Sequence, residues 1–271
     1  MAQGVGPACR CTCVVALRQT AVLGAARDRQ APGFPVLGYR PGEAQGSPAA
    51  VRRHLRILHA NGWSLLGVSE ALAVAAAHPR HPVAGITVDG ATSDALAVAE
   101  VVLELGAGAT VHVPVDRVLE RPTRGATPGA LSWGQVGELA AAGLEIGSGA
   151  STGVPLDVLG PRALSYELQG SRRRLREHLG VEVASLQYPG GCTTRGVRAA
   201  ARAAGYLNAC GRGQRLARVP GDAFAVPRIF LPEGAADHEV AELVSVGGGN
   251  RWREAAAPLH RLGRRTLRLL G

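Results

Sequence analysis

The sequence predicts an α/β fold with a mainly parallel sheet or barrel, and two observations support it. Short apolar segments alternate with amphipathic segments over most of the 271 residues. Repeated β–α units of this kind form parallel sheets rather than separate β and α layers. The composition is 46% hydrophobic and 19% charged, which is typical of a protein with a core, and the length suits one large domain or two small ones.

Each predicted strand is a short apolar run that ends at a loop or a glycine. The first strand begins at Phe34 in the segment FPVLGYR, and a short extended piece follows at residues 65–68. The later predicted strands cover residues 84–88, 109–113, 144–147, 184–188, 207–210 and 226–229.

Each predicted helix has apolar residues at helical spacing between a start signal and a stop signal. The first begins near Val51 and ends before Asn61, and Ser69 is expected to cap the second, EALAVAAAH. The later predicted helices cover residues 94–105, 133–142, 162–179, 195–204 and 237–244. Glycine ends three of them, at Gly106, Gly143 and Gly180.

The net charge is +9, and all the basic residues that contribute to it are arginines, because the chain contains no lysine. A chain dominated by Ala, Arg and Gly indicates a GC-rich coding bias rather than nucleic-acid binding. Aromatic residues, at 4%, are too few for a base-stacking surface. We therefore expect no nucleic-acid partner.

The cysteines and the N-terminus favour a cytoplasmic location. Five cysteines, three of them in the stretch CRCTC, give an odd count that argues against a disulfide framework. CRCTC also lacks the second ligand pair of a zinc site. The N-terminus has no basic region, and Arg18 interrupts its apolar run, so it is a poor signal peptide.

Four segments, in order and with matching gaps, resemble the polysaccharide deacetylase family, carbohydrate esterase family four with its NodB-homology domain. FPVLGYR resembles the opening strand, and ITVDGATSD the first motif, Thr-Phe-Asp-Asp-Gly. EIGSGASTGVPLDVL resembles the segment of the second motif, Ser-His-x-x-x-His, and LQYPGGC resembles the turn of the third. FAVPRI is similar to a late strand of many members.

The resemblance implies a distorted (β/α)7 barrel, similar to a TIM barrel, over residues 34–244. Residues 1–33 are then an N-terminal tail, and residues 245–271 form a basic C-terminal helix. This helix either docks on the barrel or makes a weak contact with an anionic membrane surface.

The resemblance also implies the roles of residues in the cleft. In the family, the first Asp of the first motif is the general base, and the second Asp and two His bind a divalent metal, usually zinc. Asp89 stands at the position of the base, whereas Gly90, Gly149 and Gly153 stand at the three metal-ligand positions. Glycine has no side chain to donate to a metal, so we expect no bound metal or other cofactor.

Residues at the ends of three strands are the expected substrate-binding set: Tyr39, Arg40, Tyr188, Pro189, Gly190 and Gly191. Arg40 replaces a usual His, and Gly190 replaces an aromatic residue that stacks on sugar. Tyr188 either lines the ligand or supports the turn. Asp89 either serves a ligand as base or acceptor, or caps the turn and the helix that follows.

Three further residues are expected to have structural roles. His112 lies in the apolar strand ATVHV and is expected in the core. Arg228 is expected to form a buried ion pair rather than to bind substrate. Cys192 has no predictable activating base, so packing or partial exposure is expected.

Two functions remain open from the sequence. The resemblance implies a hydrolase of carbon–nitrogen bonds in N-acetylated carbohydrate. The loss of three ligands predicts an impaired or inactive member that binds a carbohydrate or a small glycosylated molecule. The alternative is an enzyme that uses Asp89 without metal on a small glycoside or natural product.

Overall fold

The computed structural model describes residues 33–120 and 129–246 of the chain. These residues fall in a single compact unit. The predicted tail, the stretch CRCTC and nearly all of the predicted basic C-terminal helix lie outside the described residues.

The described residues form one sheet of seven strands, and all its strand pairs are parallel. The strands are β1 (Val36–Tyr39), β2 (Ser64–Leu66), β3 (Val83–Asp89), β4 (Thr110–Val113), β5 (Glu145–Ser148), β6 (Ser185–Gln187) and β7 (Asn208–Cys210). Their order is β1-β3-β4-β5-β6-β7, and β2 pairs with the first residues of β3. The predicted parallel α/β sheet is confirmed.

Residues 226–229 join the two edges of this sheet. Val226 forms an isolated parallel bridge to Cys210 of β7, and Ile229 forms one to Leu37 of β1. The prediction of a full strand here is wrong, because Pro227 lies between the two bridges and has no backbone N–H for a continuous ladder. The two bridges nevertheless close the curled sheet into a barrel.

Helices follow most of the strands. They are α1 (Pro48–Ala60), α2 (Val68–Ala77), α3 (Ser93–Glu104), α4 (Trp133–Ala141), α5 (Pro161–Ser165), α6 (Ser171–Leu179), α7 (Arg195–Ala203) and α8 (Asp237–Val246). The long helix expected over residues 162–179 is divided, because a π-helical segment, Tyr166–Gly170, separates α5 from α6. Among the described residues, every helix is too short or too polar to cross a membrane.

The start of α2 differs from the expectation that Ser69 caps it. Gly67 occupies the N-cap without a side-chain hydrogen bond. Glu145 of β5 supplies the missing acceptor. Its carboxylate accepts hydrogen bonds from the backbone N–H of Ser69 at 3.2 Å and from the Ser69 hydroxyl. Thr110 of β4 also donates to Glu145, at 2.5 Å. A carboxylate from a strand therefore stabilises the positive end of α2.

The two faces of the strands have different chemistry. Residues such as Leu37, Ile86 and Val88 belong to one apolar cluster that includes buried residues of α1 and α3. The alternate residues face the barrel interior and are largely polar. The buried polar ones among them are Thr87, Thr110, His112, Ser185, Asn208 and, beyond β7, Arg228. A polar barrel interior requires that its side chains bond one another.

Candidate active site

Asp89 is the last residue of β3, so the predicted position of this carboxylate at a strand end is confirmed. Its Oδ1 accepts a hydrogen bond from Nη1 of Arg228 at 2.6 Å. The Arg228 side chain is fully buried, and the Asp89 side chain is 14% exposed. Nη1 of Arg228 also donates to Thr87 Oγ1 at 3.1 Å. The predicted buried ion pair of Arg228 is therefore confirmed, and its partner is the candidate base.

His112 lies beside this pair. The parallel register of β3 and β4 places His112 opposite Asp89, and Nδ1 of the imidazole lies 3.5 Å from Asp89 Oδ1. Nε2 lies 3.0 Å from the Ser185 hydroxyl. Gly147 on β5 leaves room for the ring, since a Cβ there would lie 2.6 Å from the imidazole Cδ2. The core position predicted for His112 is confirmed, and its contact with Asp89 is an additional finding.

The surroundings of Asp89 fix its charge state. Burial by itself would raise the pKa of this carboxyl. The Arg228 guanidinium and the His112 imidazole beside the carboxyl outweigh burial, and together they hold the pKa of Asp89 well below its usual range. Asp89 is therefore a persistent carboxylate, and a carboxylate that resists protonation is a weak acceptor of a proton from water.

Two of the three positions of the expected metal ligands have backbone geometry that suits glycine, and the third leaves little room for a side chain. Gly90 has φ of 125° and Gly153 has φ of 81°, a region that other L-residues rarely adopt. Gly149 has ordinary φ, but a Cβ on it would lie 3.0 Å from the backbone nitrogen of Pro114. Around Gly90 and Gly153, by contrast, a Cβ would meet nothing closer than 3.9 Å.

The donors that remain at this site do not fit a divalent metal. Oδ2 of Asp89 and Nδ1 of His112 are buried without a hydrogen-bond partner in the described part of the chain. Two such atoms fall short of the three protein ligands that a catalytic zinc normally has. Within residues 33–120 and 129–246, no three His, Cys, Asp or Glu side chains lie close enough to hold a metal. Arg228 already neutralises Asp89, and its positive charge disfavours a second cation there.

Glu167 fixes the loop that contains Gly149 and Gly153. This residue of the π-helical segment is 3% exposed. Its carboxylate accepts the backbone N–H of Ser151 at 2.8 Å, the backbone N–H of Thr152 at 3.0 Å and the Thr152 hydroxyl at 2.6 Å. Sequence analysis missed Glu167. The available signal was its position on the same stripe of the helical pattern as Leu168, Ser171 and Leu175, which are all buried.

We expect the variant Glu167→Gln to lower the free energy of unfolding by about 1–3 kcal/mol, because hydrogen bonds to a charged acceptor are lost in a buried place. The backbone amides of Ser151 and Thr152 should also exchange with solvent faster, as hydrogen–deuterium exchange would show. Glu177→Gln is the matched control, since Glu177 has a 62% exposed side chain and one long ion pair of 3.8 Å. Equal stability of the two variants would contradict the role of Glu167.

The predicted substrate-binding tyrosines are both buried. Tyr39 is 1% exposed, and its ring stacks on His54 of α1 with 6.1 Å between ring centroids. It therefore lies on the helix side of β1, whereas Gly38 faces the interior. Tyr188 is fully buried and donates its hydroxyl to the backbone oxygen of Phe224 at 3.0 Å. Both contacts stabilise the fold. Participation of these two rings in ligand binding stays a prediction.

The remaining predicted residues lie at the mouth of the barrel. Arg40 follows β1, and Pro189, Gly190 and Gly191 form a short turn after β6. Gly190 and Gly191 have φ of 69° and 72°, so the turn depends on glycine. The half-buried Cys192 follows the turn. These positions are at the carboxyl ends of the strands, where ligands of parallel β/α folds bind.

The closed parallel sheet and its helices place this protein in the class of β/α-barrel proteins, with an ionised carboxylate at the end of β3. Residues 77–209 match the model of the polysaccharide deacetylase family. This chain therefore carries a polysaccharide deacetylase domain. A comparison with curated protein sequences finds no match.

Solved structures share the fold at low sequence identity. PplD, a deacetylase from Streptococcus pyogenes solved with acetate, is 17% identical with a TM-score of 0.69, over 79% of this chain and 99% of that one. IcaB from Ammonifex degensii is 22% identical with a TM-score of 0.67, over 80% and 99% of the two chains. A Bacillus cereus polysaccharide deacetylase is 21% identical with a TM-score of 0.66, over 78% and 69%. The predicted fold, a distorted (β/α)7 barrel, is thus confirmed, whereas its boundaries at residues 34 and 244 stay a prediction.

Proposed function

We propose that this protein is a pseudoenzyme of the polysaccharide deacetylase family that binds a carbohydrate or a small glycosylated molecule in the cleft beside Asp89. One observation carries the proposal. Arg228 pairs with the candidate base at 2.6 Å, while glycines stand at the three positions where the family resemblance implies metal ligands.

The loss of metal ligands removes most of the chemistry that hydrolysis of an acetamide needs. A divalent metal lowers the pKa of bound water from about 15.7 to about 7 and polarises the carbonyl. In the described part of the chain, the residues around Asp89 offer no replacement for that activation. Each 1.36 kcal/mol of lost stabilisation costs tenfold in rate, so deacetylation by this site should be slower by many orders of magnitude.

The alternative, a metal-independent enzyme in which Asp89 is the base, has less support. A useful general base has a pKa near the working pH, whereas the pair with Arg228 lowers the pKa of Asp89. The open space beside Gly90 and Gly190, where a Cβ would meet nothing within 4 Å, supports a binding role instead. The cytoplasmic location, the absence of a nucleic-acid partner and the contact of the C-terminal helix with membranes stay predictions from the sequence.

We expect the purified full-length protein to contain far less than one equivalent of metal and to release no acetate from N-acetylglucosamine oligosaccharides, with or without added zinc, cobalt or nickel. Elemental analysis and an acetate assay measure the two quantities. Isothermal titration with the same oligosaccharides should detect binding. The variant with Cys9, Cys11 and Cys13 changed to serine controls for metal held by the CRCTC stretch.

Two results would contradict the proposal in different ways. Stoichiometric metal that is lost in Asp89→Asn, together with acetate release that a chelator stops, would make the protein a metal-dependent deacetylase. Acetate release that resists chelators and is lost in Asp89→Asn would favour the metal-independent enzyme.

A further inference from the structure

Arg212 is a half-buried arginine that forms no salt bridge within the described residues. It follows β7 by two residues, and its stem packs on the turn after β6, since a Cβ on Gly191 would lie 2.2 Å from Arg212 Cγ. Its Nε is buried and has no hydrogen-bond partner within the described ranges. Most half-buried charges in proteins have a partner, because an unpaired one is costly to remove from water.

The neighbours of Arg212 add positive charge. Burial lowers the pKa of Arg212, and repulsion by Arg40 and by Arg228 lowers that pKa further, whereas attraction by Cys192 and Glu43 offsets only part of this decrease. The Asp89 carboxylate, the acidic group nearest Arg228, is already paired with it. The other nearby acid is Glu43, whose side chain is 52% exposed and lies 3.5 Å from Arg40. Three guanidinium groups therefore face two carboxylates at this side of the mouth, and neither of these carboxylates forms a salt bridge with Arg212.

Phe230 holds Arg40 in this group. The Arg40 guanidinium carbon lies 4.3 Å from the centre of the Phe230 ring, within the range of a cation–π interaction. The ring itself is fixed, because Gln214 accepts the backbone N–H of Phe230 at 2.7 Å. Gly38 of β1 makes room for it, since a Cβ there would lie 2.6 Å from the ring. Arg40 is thus directed by packing rather than by a strong ion pair.

We propose that Arg212, with Arg40 beside it, binds an oxyanion on the carbohydrate ligand, a carboxylate or a phosphate carried by the sugar. Guanidinium groups bind both anions through paired N–H donors. Gly190, which precedes the Gly191 that packs on the Arg212 stem, leaves open space for such a group, as a Cβ on Gly190 would meet nothing within 4 Å. This inference rests on the proposed carbohydrate-binding function and specifies an acidic sugar as its ligand.

Isothermal titration calorimetry at low salt, with four probes, tests the inference. These are an oligosaccharide that alternates hexuronate with N-acetylhexosamine, a neutral N-acetylglucosamine oligosaccharide of equal length, N-acetylglucosamine 6-phosphate, and inorganic phosphate. We expect either the hexuronate oligosaccharide or the sugar phosphate to bind at least about tenfold more tightly than the neutral oligosaccharide. A charge-assisted hydrogen bond contributes enough binding free energy for a difference of that size. Higher salt should reduce the difference.

The variant Arg212→Gln should remove this preference and bind acidic and neutral probes alike. Arg215→Gln is the matched control, because Arg215 is exposed, lies three residues away and carries the same charge. Thermal unfolding checks folding without ligand: Arg212→Gln should unfold at the same or a higher temperature than the parent, since it removes an unpaired charge. The acidic sugar should raise the unfolding temperature of the parent but not that of Arg212→Gln.

The outcomes separate this inference from the proposed function. Equal binding of acidic and neutral oligosaccharides, or unchanged preference in Arg212→Gln, overturns the inference and leaves carbohydrate binding intact. Binding of inorganic phosphate through Arg212 without binding of any sugar supports the anion site and contradicts the carbohydrate function. Binding of no probe contradicts both. A preference for the hexuronate or for the phosphate identifies which oxyanion the site accepts.

Discussion

Replacing Arg228 by methionine should lower the free energy of unfolding by about 3–5 kcal/mol, because the substitution leaves the Asp89 carboxylate in the barrel without its cation. Arg228 is fully buried, and it also donates to Thr87 Oγ1 and to the backbone oxygen of Gly211. Chemical unfolding of the parent and the variant measures the difference. Arg80→Met is the control for loss of an exposed arginine.

A double-mutant cycle isolates the pair itself. Asp89→Asn should also destabilise the protein, since it leaves the buried guanidinium of Arg228 without its paired carboxylate. Asp89→Asn combined with Arg228→Met should cost less than the sum of the two single changes, because neither charge is then left alone. Additive effects would show that the 2.6 Å contact contributes nothing specific to stability.

The same pair predicts a pH dependence. The folded state lowers the pKa of Asp89, whereas the unfolded chain has the ordinary value of about 3.9. The stabilisation is therefore complete above about pH 4 and is lost as the pH falls through the lower pKa of the folded state. The stability difference between the parent and Arg228→Met should accordingly shrink below about pH 4.

Restoring the three expected ligands, Gly90→Asp with Gly149→His and Gly153→His, should yield a less stable protein that does not take up stoichiometric zinc. A non-glycine residue with positive φ costs about 1–2 kcal/mol, and two of the three positions have such a backbone. At Gly149 the new Cβ meets the backbone nitrogen of Pro114 at 3.0 Å, and overpacking of that kind costs about 1–3 kcal/mol. Arg228 would still form its ion pair with the Asp89 carboxylate.

Elemental analysis and unfolding curves of the triple variant and of each single variant test this expectation. Gly143→Ala is the control for backbone strain alone, because Gly143 has φ of 95° and open space around its Cβ position. A triple variant that folds as well as the parent and holds one zinc per chain would show that the loops relax easily. The metal ligands alone would then separate this protein from a metal-binding relative.

Much of the fold could be predicted from local patterns. The alternation of short apolar strands with capped helices gave the parallel sheet, and Ser132 does open α4 through a capping box with Gln135. Helix starts and strand ends depend on residues that are neighbours in the chain, so the sequence contains their signals. Where a distant residue replaces the local signal, as Glu145 does at the start of α2, the local prediction failed.

The site could be predicted only in part, for the same reason. The motif spacing placed Asp89 at the end of a strand and three glycines at the ligand positions. The partners of Asp89 come from distant segments of the chain, since His112 lies 23 positions further along and Arg228 lies 139 positions further along. The position of Glu167 against the loop 151–152 likewise depends on how the π-helical segment packs.

The sequence by itself predicted the family resemblance, the order of most strands and helices, and glycine at the three positions where that resemblance implies metal ligands. Each of these depends on residue identity at positions spaced along one chain. Only the tertiary structure decided that the candidate base is neutralised by Arg228, that Tyr39 faces a helix, and that Arg212 forms no salt bridge within the described residues. Those properties depend on distances between segments far apart in the chain, and closure of the barrel brings these segments together.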